Sequence, residues 1–325
     1  MSLLKMGILG AGSIARKMAD TITRMEGVEA YAVASRTVSK AQEFAEKWHF
    51  KKVYNSYEEM LDDEQVQLVY IATPHSHHYE HARLCLMKGK PVLCEKAFMA
   101  NARQTEEILK LAREKNLFIT EAIWTRYMPL SKKINEILDS GVIGKPTMLS
   151  ANLGYDIDHK ERVIKPELAG GALLDIGVYP INFASMVFGT DVKEIVSSCI
   201  KTDTGVDGQE SITFVFNNGN MAVLHSTIFA ITDRQGIISG DKGHLIVENI
   251  NNPQRVYVVS KDYEVIAQYD CPPQITGFEY EVNACIEALE NGWLESPYMP
   301  HEETLRIMQI MDKLREEWGV KYPWD

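Results

Sequence analysis

Cysteine is scarce in this chain, and positive charge is outnumbered. Cys85, Cys94, Cys199, Cys271 and Cys285 are scattered over 325 residues without C-x-x-C spacing, which argues against a disulfide framework or a zinc ribbon and for reduced thiols. The 34 Lys and Arg face 45 Asp and Glu, a formal net charge of -11. With no basic patch interleaved with aromatics, a nucleic-acid partner is not expected, since its phosphates would be repelled. No apolar run reads as long enough to span a bilayer. The first strand starts almost at Met1 and leaves no room for a secretory leader, so the expectation is a cytoplasmic protein with no membrane partner. Internal repeats and low-complexity segments are absent from the sequence too. The remainder, 45% hydrophobic and 24% charged, is enough for two domains with cores of their own.

What the sequence does have is concentrated at its start. Residues 5–15 read Lys-Met-Gly-Ile-Leu-Gly10-Ala-Gly12-Ser13-Ile14-Ala15, an apolar strand running into G-x-G-x-x-A and an amphipathic helix. Each small residue has a mechanical reason: Gly10 makes the tight turn, Gly12 lets the backbone approach a pyrophosphate, and Ala15 lets the helix pack closely on the strand. Ser13 and Ile14 open the helix, whose free N–H groups and positive dipole end suit phosphates. Residues 28–35 read as a second buried strand, completing the βαβ unit in which a dinucleotide fingerprint has meaning. A chain preferring NAD usually places Asp or Glu at the end of that strand. This one has Ser35-Arg36, with Lys40 a helical turn on. A hydroxyl and two cations suit a 2'-phosphate, so NADP is expected, with NAD possible. The plainer reading of Arg36 and Lys40 is a solvated helix start.

Strands and helices alternate up to residue 121, with further strands at 66–73, 91–95 and 118–121. That pattern predicts a doubly wound parallel sheet of the Rossmann type over residues 1–121. Beyond it, runs at 147–153, 193–200, 211–216, 221–228, 244–247 and 255–259 read as successive strands, and 278–290 and 302–318 as closing helices. A run of strands with few crossovers predicts a largely antiparallel sheet, hence an α+β domain over 122–325. The fold class is therefore α/β with a second, α+β domain. The strand at 211–216 alternates apolar and polar residues, leaving a face that needs cover, and a homodimer or larger assembly is expected through it.

Candidate chemistry lies at Cys94-Glu95-Lys96-Ala97 and at Gly170-Gly171-Ala-Leu-Leu-Asp175-Ile-Gly-Val-Tyr179-Pro180. Asp175 and Tyr179 are four apart, which on a helix puts both on one face. A phenol, with an ordinary pKa near 10, becomes a usable base beside a cation. Tyr179, assisted by Lys96, would take a hydroxyl proton while hydride leaves the same carbon for nicotinamide; Asp175 would orient the substrate hydroxyl or the lysine. The plainer alternative makes Lys96 a loop cap, Asp175 a helix contact and Tyr179 half-buried core. The strand closing at Thr73-Pro74 and the residue Glu95 fall where a nicotinamide would lie. In the run that follows, His75 or His78 is expected near cofactor or substrate, and His77 and His81 exposed on a helix. His77 to His81 spells H-x-x-E-H, but no separate third ligand is apparent and no metal is expected. Trp124 and Arg126 follow the last parallel strand and are placed at the crevice, stacking on the cofactor or walling the substrate.

This combination resembles the glucose-fructose oxidoreductase, inositol dehydrogenase and MocA (Gfo/Idh/MocA) family, whose signature pairs Glu-Lys-Pro with a downstream Asp and, four residues later, His or Tyr. The resemblance runs along nearly the whole chain: G-x-G-x-x-A, Ala72-Thr73-Pro74 with His78, the Lys96 motif, Glu121-Ala-Ile-Trp124-Thr-Arg126-Tyr-Met-Pro129, and the Asp175 and Tyr179 segment. Tyr at the last position looks most like the branch of dihydrodiol and NADP-dependent aldose (xylose) 1-dehydrogenases. The resemblance implies that Lys96, Asp175 and Tyr179 are catalytic and that the second domain's sheet serves as a dimer interface. The chain departs from the pattern at Ala97, where proline is usual, and at Tyr179, where histidine is commoner. The expected activity is NADP-dependent oxidation of a small polyhydroxylated molecule, an aldose at C1 or a cyclic vicinal diol. The alternatives are a glycosidase that oxidises its substrate transiently with tightly held NAD, which would show no net NADPH, and a sugar- or nucleotide-sensing protein, which would not need the Lys, Asp and Tyr set.

Overall fold

The computed structural model describes residues 3–325. The first part alternates β1 (Leu4–Leu9), α1 (Ser13–Ile22), β2 (Val28–Ala34), α2 (Val38–Trp48), β3 (Lys52–Tyr54), α3 (Tyr57–Asp62), β4 (Leu68–Ile71), α4 (His75–Met87), β5 (Val92–Glu95), α5 (Ala102–Lys115) and β6 (Ile119–Ala122). The six strands form one parallel sheet in the order β3-β2-β1-β4-β5-β6. Strand order reverses between β1 and β4, and ligands of such sheets bind outside the carboxyl ends at that switch point. Every residue of β4, β5 and β6 is buried, the continuous burial of strands covered on both faces. α1 is amphipathic, burying Ala15, Met18, Ala19 and Ile22 at spacings that keep one face on the sheet. A side chain as large as the fully buried Met18 or Ile22 contributes about 1.5–3 kcal/mol by leaving water.

The chain continues through a 3-10 turn (Trp124–Tyr127), α6 (Pro129–Asp139), β7 (Pro146–Gly154), α7 (Glu161–Ile164), a second 3-10 turn (Pro166–Leu168), a π-helical turn (Leu173–Gly177) and α8 (Val178–Phe188). There follow β8 (Val192–Lys201), β9 (Asp207–Phe216), β10 (Met221–Thr227), β11 (Gly236–Gly240), β12 (Gly243–Glu248), β13 (Arg255–Ser260), β14 (Val265–Asp270), α9 (Glu279–Asn291) and α10 (His301–Trp318). The second sheet has the order β14-β13-β12-β11-β7-β10-β9-β8, antiparallel except where β10 runs alongside β7. One face is a core of Leu149, Ile212, Phe214, Leu224, Ile238, Leu245 and Val256, and α8 packs against β7 and β10. The stretch 166–188 is long and apolar enough to cross a bilayer by length and composition, contrary to the expectation of no such run. It is 89% buried inside the protein and broken by the 3-10 and π-helical turns, so its apolarity is that of a core helix.

The chain divides into two compact units, Met1–Ala122 with Gln274–Leu305, and Ile123–Pro273 with Arg306–Asp325. The single second domain expected over 122–325 is thereby corrected: 274–305 returns to the first unit. The reason is visible at β6, the edge of the parallel sheet. The Ile119 N–H donates to Leu294 O at 3.1 Å, and His301 Nε2 lies 2.9 Å from Ile119 O. The returning segment satisfies backbone groups that an open edge would leave exposed. Three strands were not legible as such. β3 is three residues long with two exposed, β11 is bounded by glycines, and β14 buries no residue.

Candidate active site

In the first unit, the turn after β1 is built for close approach. Gly10 has φ +101, and a Cβ there would lie 2.9 Å from Ala72 O, so no other residue fits. Gly12 is different: a Cβ there would meet nothing within 4 Å. It caps α1 without any side-chain bond to the helix, leaving open space in front of the first-turn N–H groups of Ser13 and Ile14. Beside it lies a cavity of about 210 Å³ bounded by Gly10, Ala11, Gly12, Ser35, Arg36, Thr37, Lys40, Tyr57, Ala72, Thr73, Pro74, His77 and His81. Seven expected positions, Gly10, Gly12, Ser35, Arg36, Lys40, Thr73 and Pro74, thus line one concavity. A helix N-terminus faced by a glycine with free space fits a pyrophosphate, and the two cations beside Ser35 fit a further phosphate.

Two of the histidines lie elsewhere than expected. His77 and His81, expected to be exposed, line the cavity, with rings 5.8 Å apart. His81 is buried, with Nδ1 3.0 Å from Thr73 Oγ1. Burial, together with His77, His78 and Arg36 nearby, holds it down to about 4. Tyr57, absent from the sequence reading, meets the His81 ring edge-on at 4.8 Å. It lies just past β3, the strand that went unrecognised, and a half-buried tyrosine after an exposed three-residue strand carries no sequence signal. His78 is fully buried and holds backbone instead: Nε2 lies 2.8 Å from Thr73 O and Nδ1 2.9 Å from Ala97 O. Burial keeps its pKa below the ordinary histidine value. His75 Nε2 lies 3.0 Å from Lys96 O.

These histidines brace the loop that carries Lys96. The loop leaves β5 at Glu95, which accepts a hydrogen bond from the Tyr70 hydroxyl. The Phe98 N–H donates to Glu121 Oε1 at 3.0 Å, and the Lys96–Ala97 peptide bond is cis although Ala97 is not proline. Glu95 is therefore a buried support at the strand's end, 5% exposed.

In the second unit, Trp124 Nε1–H donates to the Tyr179 hydroxyl oxygen at 3.1 Å, and both side chains are buried. Asp175, also buried, accepts from Arg162 Nη1 at 2.7 Å. The condition for a shared face, one regular helix through both residues, is not met: Asp175 lies in the π-helical turn and Tyr179 in α8, and a π-turn breaks the i, i+4 alignment. Arg126, expected at the cofactor, donates from Nε to Asn182 Oδ1 at 2.6 Å and from Nη2 to Ser185 Oγ at 2.8 Å. Its guanidinium is occupied in holding α8, because Asn182 and Ser185 lie within one helical turn of each other. Among the described residues, the group whose ligand atoms could share an ion is Asp156, Asp158 and His159, all exposed, and not the H-x-x-E-H run.

Comparison with known proteins agrees with this geometry. Residues 4–122 match the family described as an oxidoreductase family with an NAD-binding Rossmann fold, and residues 131–246 match the Gfo/Idh/MocA C-terminal domain. The trans-1,2-dihydrobenzene-1,2-diol dehydrogenase of Mus musculus is 33% identical over 335 residues, covering 99% of each chain. The D-xylose 1-dehydrogenase (NADP(+)) of Hypocrea jecorina is 34% identical over 367 residues, covering 98% of this chain and 93% of the relative. Among solved structures, a 3-ketoreductase from Actinomadura kijaniata in complex with NADP superposes with a TM-score of 0.84 at 25% identity, covering 99% of this chain and 98% of that one. A dinucleotide cavity in a Rossmann sheet, a Lys96 loop, an Asp175 and Tyr179 segment, and relatives matched end to end make this chain a member of the Gfo/Idh/MocA family of nicotinamide-dependent oxidoreductases.

Proposed function

We propose that the protein oxidises a secondary hydroxyl of a small polyhydroxylated molecule, an aldose at C1 or a cyclic vicinal diol, with NADP. The observation that carries the chemistry is the Trp124 indole N–H directed at the Tyr179 oxygen. A donor aimed at that oxygen favours its charged form and turns the phenol from a donor into an acceptor of a proton. Gly12 and the first turn of α1 hold the pyrophosphate, and Arg36 and Lys40, with Ser35, hold the 2'-phosphate. Bound NADP supplies the hydride acceptor. Tyr179 takes the proton of the substrate hydroxyl as hydride leaves the same carbon, and Lys96 is the cation proposed to offset the charge that develops on the alkoxide. Asp175, itself held by Arg162, orients the substrate hydroxyl. Relatives named for D-xylose and for a dihydrobenzene diol support this substrate class.

The assembly proposed is a homodimer through the outer face of the second sheet, where Met148, Val196, Ile200 and Met221 are 39%, 58%, 59% and 37% exposed. Light scattering at micromolar concentration should give twice the chain mass or more, and a strict monomer refutes it.

The functional test is a panel of pentoses, hexoses, inositols and vicinal diols with NADP and with NAD, followed at 340 nm. Net NADPH formation with one class, faster than with NAD, is the expected result. No net reduced cofactor with any alcohol, together with release of an aglycone from glycosides, would instead identify a glycosidase.

A further inference from the structure

The glycines before and within the π-helical turn leave room for something specific. A Cβ on Gly171, at φ +130, would fall 2.3 Å from Asp207 Oδ1, and one on Gly177 would fall 2.5 Å from Glu210 Oε1. Asp207 opens β9 and Glu210 follows three residues on, 0% and 2% exposed. Two buried carboxylates therefore bracket the turn Leu173–Gly177, one at each end. Asp207 Oδ2 accepts the Leu173 N–H at 2.5 Å, and Glu210 Oε1 accepts the hydroxyl of Ser226 on β10. Asp207 Oδ1 and Glu210 Oε2 have no hydrogen-bond partner among the described residues. The chain's end secures the same place: the Tyr322 hydroxyl donates to Gly170 O at 2.8 Å. The Arg315 guanidinium lies 4.4 Å over the Tyr322 ring, tied to Asp312 and Asp325.

A helix start leaves N–H groups that an anion satisfies, and here the anion comes from the neighbouring strand. Two carboxylates sharing one dry site do not both ionise. The geometry points to Asp207 as a positioning residue for the oxidation proposed above: it anchors the first turn of the segment that presents Asp175 and Tyr179, with Glu210 at the turn's other end. This inference rests on the dehydrogenase reading. The groups facing Asp207 are Glu210, Cys199 of β8, Arg315 of α10 and Tyr322. Burial raises Asp207 to about 6, opposed by the Leu173 and Ala172 N–H groups and by Arg315. Burial and Asp207 raise Glu210 well above the carboxylate range. Asp207 is thus charged at neutral pH and loses its charge in mild acid, which weakens its hold on Leu173.

Two variants test this. Asp207→Ala removes the acceptor, whereas Asp207→Asn keeps one but does not titrate. Asp207→Ala should lower kcat about 10- to 100-fold, the loss that small misplacement of reacting groups brings, with NADP affinity within about twofold. Asp207→Asn should keep most of the wild-type kcat at pH 7. Wild-type kcat should fall below about pH 6, and that acid limb should be missing in Asp207→Asn. Independently of turnover, amide exchange in the peptide spanning 171–179 should quicken in Asp207→Ala and not in Asp207→Asn. Wild-type kcat and exchange in Asp207→Ala, or an unchanged acid limb in Asp207→Asn, overturn the inference. If Asp207→Ala does not fold, the acid limb of Asp207→Asn decides alone. A wild type that reduces no cofactor with any alcohol overturns the dehydrogenase reading instead, and the exchange comparison still decides whether Asp207 anchors the turn.

Discussion

Gly10 and Gly12 stand two residues apart in one motif, yet the structure assigns them different physics, and alanine at each should separate folding from binding. At Gly10 an L side chain must adopt φ +101 and sit 2.9 Å from the backbone oxygen of Ala72. The dihedral costs about 1–3 kcal/mol, and the overlap, which rigid backbone relieves poorly, about as much again. Gly10→Ala should therefore be destabilised by about 2–6 kcal/mol, a fall in Tm on the order of 10 °C. At Gly12 the backbone is extended, φ -80 and ψ -169, a conformation open to alanine, and no atom lies within 4 Å of the new methyl. The few tenths lost on replacing a glycine N-cap are offset by the lower entropy of the unfolded chain, so Tm should move by about 2 °C or less. The methyl does occupy the space a pyrophosphate needs, and NADP affinity should fall about 10- to 100-fold, or about 1.4–2.8 kcal/mol. Differential scanning calorimetry and isothermal titration with NADP read the two quantities. The reasoning is refuted if Gly12→Ala loses as much Tm as Gly10→Ala, or keeps NADP affinity within twofold.

Arg36→Asp should weaken NADP by about 1.5–3 kcal/mol through loss of a charge-assisted phosphate contact and leave NAD preferred; equal affinity of the unaltered protein for both cofactors by calorimetry would contradict the 2'-phosphate assignment. Trp124→Phe should lower kcat about tenfold, as expected for a lost hydrogen bond to a charged group, and move the rise of rate with pH to higher pH, with NADP affinity unchanged; an unshifted profile argues against the indole donor. For His81, the folded value of about 4 lies below the ordinary 6.5. Between those values the unfolded chain holds a proton that the native state does not, so stability falls as pH drops from about 6.5 to 4 and is level below that. With partial solvent screening discounted, the contribution is about 2 kcal/mol, and urea midpoints at pH 7 and 4.5 should converge in His81→Gln.

The cofactor half was legible because its signals are local. Gly10, Gly12, Ser35, Arg36 and Lys40 fall between the end of β1 and the first turn of α2, and all line the same cavity. Apolar runs such as those of β4 and β5 announced a parallel sheet before any contact was known. What was misjudged depends on tertiary partners. The histidine run gave no sign of which rings face the cavity, because that follows from where the carbonyls of Thr73 and Ala97 lie. Arg126 carries no sign in the sequence of its bonds to Asn182 and Ser185, which come from a helix more than fifty residues on. The return of 274–305 to the first unit is fixed by the open edge of β6, which no periodicity encodes. The π-helical turn at Asp175 has its Leu173 N–H held by Asp207 of β9 and Glu210 close against Gly177, partners from another strand that no helical pattern encodes.

The central claim is that Tyr179 takes the substrate's proton. The most direct test is the pH dependence of kcat for wild type and Tyr179→Phe, each saturated with NADP and with whichever alcohol the panel selects. Above the acid limb that Asp207 gives near pH 6, the wild-type rate should rise further with pH through one more ionisation, that of the base itself. Tyr179→Phe should lose that rise and about 10²- to 10⁴-fold in rate, while binding NADP as before. Near-normal turnover in Tyr179→Phe with the same pH profile would contradict the account and move the base to another group.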